Sequence, residues 1–134
     1  MIAVDTSVVV AAFASWHEGH AAALGALRRK VRLPAQVLIE TYSVLTRMPP
    51  PHRAAAPLVE SYLAARFPGA PLTLPGHAHR ALLSAAASAG LAGGAIYDAL
   101  IAATARHAAA LLLTRDRRAV ATYERIGVRY ELVL

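Results

Sequence analysis

The sequence predicts an α/β fold in which a mostly parallel sheet is covered by helices. Short apolar runs of strand length alternate with longer helical segments along the whole chain, which is the order that parallel α/β folds require. The short runs are rich in Leu, Val and Ile, as strands buried on both faces are. With 134 residues, the chain is long enough to bury a core without metal or disulfide support.

Five strands are predicted, each a short run that ends at a turn-forming or capping residue. In chain order they are residues 2–4, 31–33, 72–74, 111–114 and 128–133. The first ends at Asp5, and the third is bounded by Pro71 and Pro75. The fourth is uniformly apolar up to its last residue, Thr114, and is expected to be buried.

Seven helices are predicted between and after these strands. They span residues 8–14, 20–29, 34–47, 58–67, 77–89, 95–109 and 118–126. Thr6 and Ser7 can cap the first helix, and Pro34 suits the first turn of the third. The three prolines at 49–51 stop the third helix and predict a loop, and Gly127 stops the last helix.

Length and composition limit the class of protein further. We expect residues 1–134 to form one domain. Hydrophobic residues make up 57% and charged residues 16%, which excludes intrinsic disorder as the main state. Cysteine is absent, which excludes disulfides, thiolate catalysis and Cys-ligated metals. The net charge of +6 favours contact with phosphate backbones.

We expect a soluble, cytoplasmic protein with no membrane segment. Residues 1–16 are apolar, but they carry Asp5 and lack the basic start of a signal peptide. Residues 81–97 are uncharged, but they consist mostly of Ala, Ser and Gly, which partition weakly into lipid. The absence of cysteine suits a reducing compartment.

Four of the eight acidic residues lie in apolar surroundings at the predicted ends of elements. Asp5 and Asp116 follow the first and fourth strands, and open parallel sheets bind ligands at the carboxyl ends of their strands. Glu40 and Asp98 lie near the starts of the third and sixth helices, where a helix favours negative charge. Each acid alone could be a helix cap or the partner of an arginine.

A cluster of these four acids at one edge would need a counter-charge, because like charges repel strongly at short range. Oxygen ligands without any cysteine point to a hard cation, Mg²⁺ or Mn²⁺, rather than to structural zinc. Sequestering four acids also leaves a strongly basic exterior. An acidic, metal-binding pocket within a basic surface suits the binding and cutting of a nucleic acid.

Other motifs carry less weight. Residues 17–20 read His-Glu-Gly-His, but a zinc-protease pattern needs its histidines four residues apart rather than three. A phosphatase of the haloacid dehalogenase type would need a second aspartate two residues after Asp5, where Ser7 stands. Residues 90–94 are rich in glycine but lack the Lys-Ser/Thr of a P-loop, and they predict a turn.

The ordered set of acidic motifs resembles the PIN-domain ribonucleases and, at this length, the VapC-type toxins of bacterial toxin–antitoxin pairs. The motifs that carry the resemblance are Asp5-Thr6-Ser7, Glu40 on the helix after Pro34, residues 96–105 around Asp98, and Leu113-Thr114-Arg115-Asp116. The resemblance covers essentially the whole chain. It implies a five-stranded parallel sheet in a three-layer α/β/α sandwich.

The resemblance also implies an activity and a set of residues that perform it. The implied catalytic and metal-binding quartet consists of Asp5, Glu40, Asp98 and Asp116. The implied supporting hydroxyls are those of Thr6, Ser7 and Thr114. The implied reaction is endonucleolytic RNA cleavage by a water that Mg²⁺ or Mn²⁺ activates. A homodimer and inhibition by a cognate antitoxin are implied as well.

One departure from the family pattern is visible after the last acid. The family often has an aromatic residue a few positions beyond it, whereas this chain has Ala119-Val120. We expect this difference to alter packing rather than chemistry.

Two interpretations stay open. The alternative to a nuclease is a non-cleaving RNA-binding module that blocks translation by occupancy, with its acids holding a structural Mg²⁺. The complete acidic quartet favours the nuclease.

The apolar side chains of Leu58, Tyr62 and Phe67 either form the homodimer interface or pack on their own sheet.

Overall fold

Four parallel strands form one sheet in this computed structural model, which describes residues 1–134. The strands are β1 (Ile2–Val4), β2 (Val31–Arg32), β3 (Leu111–Thr114) and β4 (Tyr130–Leu132). Their order in the sheet is β2-β1-β3-β4, and every neighbouring pair is parallel. The predicted α/β class with a parallel sheet is therefore confirmed, and all four carboxyl ends lie at the same edge.

Seven helices surround the sheet, and each corresponds to a predicted helix. They are α1 (Thr6–Phe13), α2 (His20–Ala26), α3 (Ala35–Thr46), α4 (Ala56–Arg66), α5 (Gly76–Ser88), α6 (Ala95–His107) and α7 (Val120–Ile126). None of them is both long and apolar enough to cross a membrane. Gly127 ends α7 in the left-handed conformation, with φ of 84°, which glycine adopts without strain.

The start of α1 differs from the prediction. Asp5, and not Thr6 or Ser7, is the N-cap, because its carboxylate accepts the backbone N–H groups of Ser7 and Val8. Thr6 and Ser7 therefore lie in the first turn of the helix. A carboxylate at this position also complements the positive end of the helix dipole.

The sheet has four strands rather than the five that were predicted. Residues 72–74 contribute only one isolated bridge, between Pro34 and Leu72. Around it, the Leu72 N–H donates to the Leu33 carbonyl and the Ala35 N–H donates to the Leu72 carbonyl, both at 2.8 Å. The pairing does not extend beyond Leu72, because Pro34 is the N-cap of α3 and the partner chain turns into the helix at Ala35.

The core lies on both faces of the central strands. Leu112 and Leu113 are neighbours on β3 and point to opposite faces of the sheet, yet both are completely buried. Helices must therefore cover both faces, as a three-layer α/β/α arrangement requires. This burial fixes the position of β1 and β3, from whose carboxyl ends the site is built.

Two of the three apolar residues considered for a dimer interface pack within the chain. Tyr62 meets Phe13 edge-on with ring centroids 5.1 Å apart, and it meets Phe67 at 6.3 Å. Only Leu58, which is 58% exposed, remains available on the surface of α4. The alternative in which these side chains pack on their own fold therefore holds for Tyr62 and Phe67.

Candidate active site

The four acids of the predicted quartet line one small cavity at the carboxyl edge of the sheet. Asp5 follows β1, and Asp116 lies two residues beyond β3, while Glu40 comes from α3 and Asp98 from the first turn of α6. The cavity measures about 20 Å³, which is room for little more than one water-sized group. It is completed by Thr6, Ser7, Ile101 and Tyr123.

Asp5 is almost completely buried, with 3% of its surface exposed, and hydrogen bonds hold both of its oxygens. Oδ1 accepts the Ser7 N–H at 3.0 Å and the Ser7 hydroxyl at 2.5 Å. Oδ2 accepts the Tyr123 hydroxyl at 2.8 Å. Burial raises the pKa of Asp5, and the hydrogen bonds from Ser7, Thr114 and Tyr123 oppose that rise. These bonds therefore favour the charged carboxylate and fix its direction.

The supporting hydroxyls connect the loops that carry Asp5 and Asp116. Ser7 Oγ accepts the Arg115 N–H at 2.8 Å in addition to donating to Asp5. Thr114 Oγ1 accepts the Asp116 N–H at 3.0 Å and lies 3.5 Å from Ser7 Oγ. The carboxyl ends of β1 and β3 are thereby joined by hydroxyl groups directly below two of the acids.

Tyr123 is the residue of this site that the sequence analysis missed. It lies on α7, its exposed fraction is 1%, and its hydroxyl contacts Asp5. Ala119 stands in the stretch after Asp116 where the family often has an aromatic residue. It lies four residues before Tyr123 and is buried as well. The Tyr123 hydroxyl brings a polar contact to the acid site. The expectation that Ala119-Val120 alters packing rather than chemistry stays a prediction.

Burial also ensures that Tyr123 acts as a hydrogen-bond donor. Desolvation raises the pKa of its hydroxyl strongly, and the neighbouring Asp5 charge and hydrogen bond raise it further. The hydroxyl consequently stays protonated throughout the physiological range. No local sequence signal identifies it, because a tyrosine that only fills space would give the same pattern on α7.

The charged form of Asp98 is disfavoured first by burial and then by the neighbouring acids. Burial raises its pKa to about 6, with smaller contributions from the charges of Glu40, Asp116 and Asp5, and Arg118 lowers it. Arg118 also lies beside Asp116, with its Nε 3.5 Å from Oδ1. Because the Arg118 side chain is 94% exposed, this ion pair is screened by solvent and offsets little of the repulsion.

The donor set of the cavity fits a hard divalent cation. All of the polar side chains that line it offer oxygen, and none offers sulfur or imidazole nitrogen. Thr6 adds a buried hydroxyl that has no hydrogen-bond partner in the chain. No three of the acidic or histidine side chains lie close enough to form a cage. Mg²⁺ does not need one, because it is usually bound through one or two carboxylates and retains several waters.

The PIN domain family model matches residues 2–125, which includes every residue of this cavity. The chain belongs to the PIN domain family. Ribonuclease VapC40 of Mycobacterium tuberculosis strain H37Rv is 56% identical over 133 residues, which cover 99% of each chain. Ribonuclease VapC27 of the same strain is 43% identical and covers 95% of this chain and 93% of its own. The resemblance to PIN-domain proteins of the VapC type is confirmed.

Solved structures of the PIN fold agree with the architecture. The crystal structure of FitAcB from Neisseria gonorrhoeae superposes with a TM-score of 0.71 and covers 97% of this chain and 96% of that one. FitAB bound to an IR36 DNA fragment gives the same TM-score, with 98% and 94% coverage. Both are 20% identical in sequence, so this likeness concerns the fold alone.

Proposed function

We propose that this PIN-domain protein is a metal-dependent endoribonuclease and the toxin of a type II toxin–antitoxin pair, with residues 1–134 as one nuclease domain. The observation that carries the proposal is the convergence of four carboxylates, from four separate elements, on one cavity at the carboxyl edge of the sheet. The high identity to two proteins named as ribonucleases supports the choice of RNA as the substrate.

In this proposal, the cavity acids Asp5, Glu40, Asp98 and Asp116 would hold Mg²⁺ or Mn²⁺. When bound, such a cation supplies Lewis acidity, which activates water and stabilises charge on the phosphoryl and leaving oxygens. Ser7 and Tyr123 donate to Asp5 and keep its carboxylate oriented and charged. Burial and neighbouring charges are what mainly shift the pKa of Asp98, so this half-exposed carboxyl is the member of the quartet that we expect to reach a ligand. Ile101 contributes an apolar wall that limits water in the cavity.

The test of the proposal is strand cleavage of RNA with Mg²⁺ or Mn²⁺ and again with EDTA. A nuclease cuts the strands only with the divalent cation present. The alternative, a module that blocks translation by occupancy, binds RNA and leaves it intact at every Mg²⁺ concentration. Observation of bound but intact RNA with saturating Mg²⁺ would replace the nuclease by this alternative.

The partners follow from the same assignment. A toxin of this type acts on RNA in the cytoplasm and is inhibited by a cognate antitoxin, and the relatives of the VapC type support this part of the proposal. Homodimerisation belongs to the proposal through the family resemblance, and of the apolar residues predicted for the interface only Leu58 is largely exposed. Light scattering at micromolar concentration should give twice the 14.1 kDa mass of the chain. A monomer mass under those conditions would contradict the dimer.

Without metal, the protein should become less stable as the pH rises from about 4 to about 6. The folded-state pKa of Asp98 is about 6 and thus lies above its ordinary value of 3.8, so the folded chain binds protons more tightly than the unfolded chain in this interval. Deprotonation of Asp98 near pH 6 then favours unfolding. Thermal unfolding in EDTA at a series of pH values measures this trend.

Two comparisons show whether this pH dependence originates in the cavity. Asp98→Asn removes the titrating group and should flatten the trend. Mn²⁺ should raise the melting temperature most at the upper end of the pH range, where the carboxylates are charged, because a ligand that binds only the folded state stabilises it. A melting temperature that Mn²⁺ leaves unchanged near neutral pH would argue against a preformed cation site.

A further inference from the structure

We propose that a groove between α3 and α6, beside the acid cavity, binds single-stranded RNA by stacking a base on Tyr97 and pairing a phosphate with Arg47. This inference rests on the proposed function and specifies how the same site holds its substrate. The α3–α6 groove encloses about 450 Å³. The residues on which the argument depends are Ile39, Glu40, Ser43, Arg47, Tyr97 and Asp98.

The groove is continuous with the acid cavity, because Glu40 and Asp98 line both. The cavity itself, at about 20 Å³, cannot admit a nucleotide. The groove volume instead lies within the range of about 300–1,000 Å³ that is usual for ligand pockets. A strand whose reacting phosphate lies at Glu40 and Asp98 would have room for a neighbouring nucleotide in this groove.

Tyr97 offers the stacking surface. It directly precedes Asp98 on α6, and 56% of its side chain is exposed. Its ring takes part in none of the aromatic pairs within the chain. An exposed aromatic ring beside a phosphate site is the usual platform for an unpaired base, and it accepts any base because every base has a π-face.

Arg47 offers the positive charge. Its guanidinium donates to the Ser43 hydroxyl at 2.5 Å, both side chains line the groove, and Arg47 pairs with no carboxylate. Arg47 follows Glu40 by seven residues, or about 10 Å along a helix axis, so its phosphate is a different one from that at the acids. Arginine binds phosphate oxygens through two parallel hydrogen bonds, which fixes the direction of the strand.

A second copy of the chain is the other occupant that the exposed Ile39 would suit. The charges in the groove favour RNA instead. Interface cores between protein chains are depleted of charged residues, whereas Glu40, Arg47 and Asp98 all line this groove. A polyanion with exposed bases matches both the guanidinium and the aromatic ring.

The test measures the fluorescence anisotropy of a labelled single-stranded RNA of mixed sequence as protein is added, once in EDTA and once in Ca²⁺. A duplex of the same sequence is titrated in parallel under both conditions. Tyr97→Ala should weaken single-strand binding about 5- to 150-fold, whereas Tyr97→Phe should bind nearly as wild type. Arg47→Gln should reduce the slope of log K against log salt by about 0.7. The matched controls Tyr42→Ala and Arg80→Gln replace exposed residues outside the groove and should change neither quantity in this way.

Three outcomes would overturn the inference. The first is equal affinity for single strands in Tyr97→Ala and Tyr42→Ala, or no measurable single-strand binding in either buffer. The second is an equal loss of duplex and single-strand binding, which removes the stacking role. The third is dissociation of a dimer in Tyr97→Ala with unchanged RNA affinity, which would make the groove a self-association surface. Because binding is measured without cleavage, the nuclease assignment is judged separately by its Mg²⁺ and EDTA assay.

Discussion

Asp98→Asn is expected to abolish RNA cleavage and, at neutral pH without metal, to raise the melting temperature. The substitution preserves the shape of the side chain but removes one negative charge from a cavity in which Asp98 faces three others. Loss of a residue that hydrogen-bonds to a metal ligand usually costs about 10- to 100-fold in activity or metal affinity. Loss of the charge of a proposed ligand itself should cost at least as much. Relief of the repulsion should stabilise the metal-free fold.

The opposite signs of these two effects make the measurement decisive. A general loss of structure would lower both cleavage and melting temperature, whereas the cavity assignment requires cleavage to fall while the metal-free melting temperature rises. Glu60→Gln is the matched control, because Glu60 is an exposed acid on α4 far from the quartet in sequence. Asp98→Asn protein that cleaves RNA as well as Glu60→Gln protein would remove Asp98 from the site.

Tyr123→Phe should destabilise the protein and weaken its response to Mn²⁺. It removes only one hydroxyl, but that hydroxyl is the donor to Oδ2 of a carboxylate that is almost completely buried. Leaving such an acceptor unpaired typically costs about 1–3 kcal/mol. The pKa of Asp5 should rise further, since a hydrogen bond that favours its charged form is gone. A less ionised Asp5 binds a cation less tightly.

Tyr130→Phe provides the comparison for Tyr123→Phe. Its hydroxyl also donates to a carboxylate, that of Glu124 at 2.7 Å, but this pair is exposed and water can replace it. We expect the Tyr130→Phe melting curve and its shift with Mn²⁺ to match those of the wild type. If both variants lower the melting temperature equally and respond equally to Mn²⁺, Tyr123 is a core residue without a positioning role.

The elements that position the acids could be predicted because their causes are local. The runs that form β1 and β3 are uniformly apolar up to Asp5 and Thr114, so both their buried state and their ends are visible in the sequence. Parallel pairing then places the two carboxyl ends at one edge, and the convergence of Asp5 and Asp116 follows. The prediction of a fifth strand was wrong because residues 72–74 have strand-like side chains, but the segment beside them is extended only up to Pro34 and then enters α3.

The contact between Tyr123 and Asp5 could not be predicted in the same way. The two residues are 118 positions apart, and nothing in the local pattern of α7 distinguishes a buried tyrosine with a polar partner from one that only fills space. The N-cap of α1 was missed for a related reason. Asp5, Thr6 and Ser7 are all good caps, and the choice among them depends on where β1 ends rather than on their chemistry.

The dual position of Asp5 has a practical consequence for making inactive protein. The same side chain begins α1 and lines the acid cavity, so its removal by alanine costs a helix cap, typically about 0.5–2 kcal/mol, as well as a buried partner for Tyr123. An inactive Asp5→Ala protein would thus confound misfolding with lost chemistry. Asp98 caps no helix, and only neighbouring charges and burial act on it. Substrate capture in cells, and expression of a harmless form for purification with a partner, are therefore better based on Asp98→Asn.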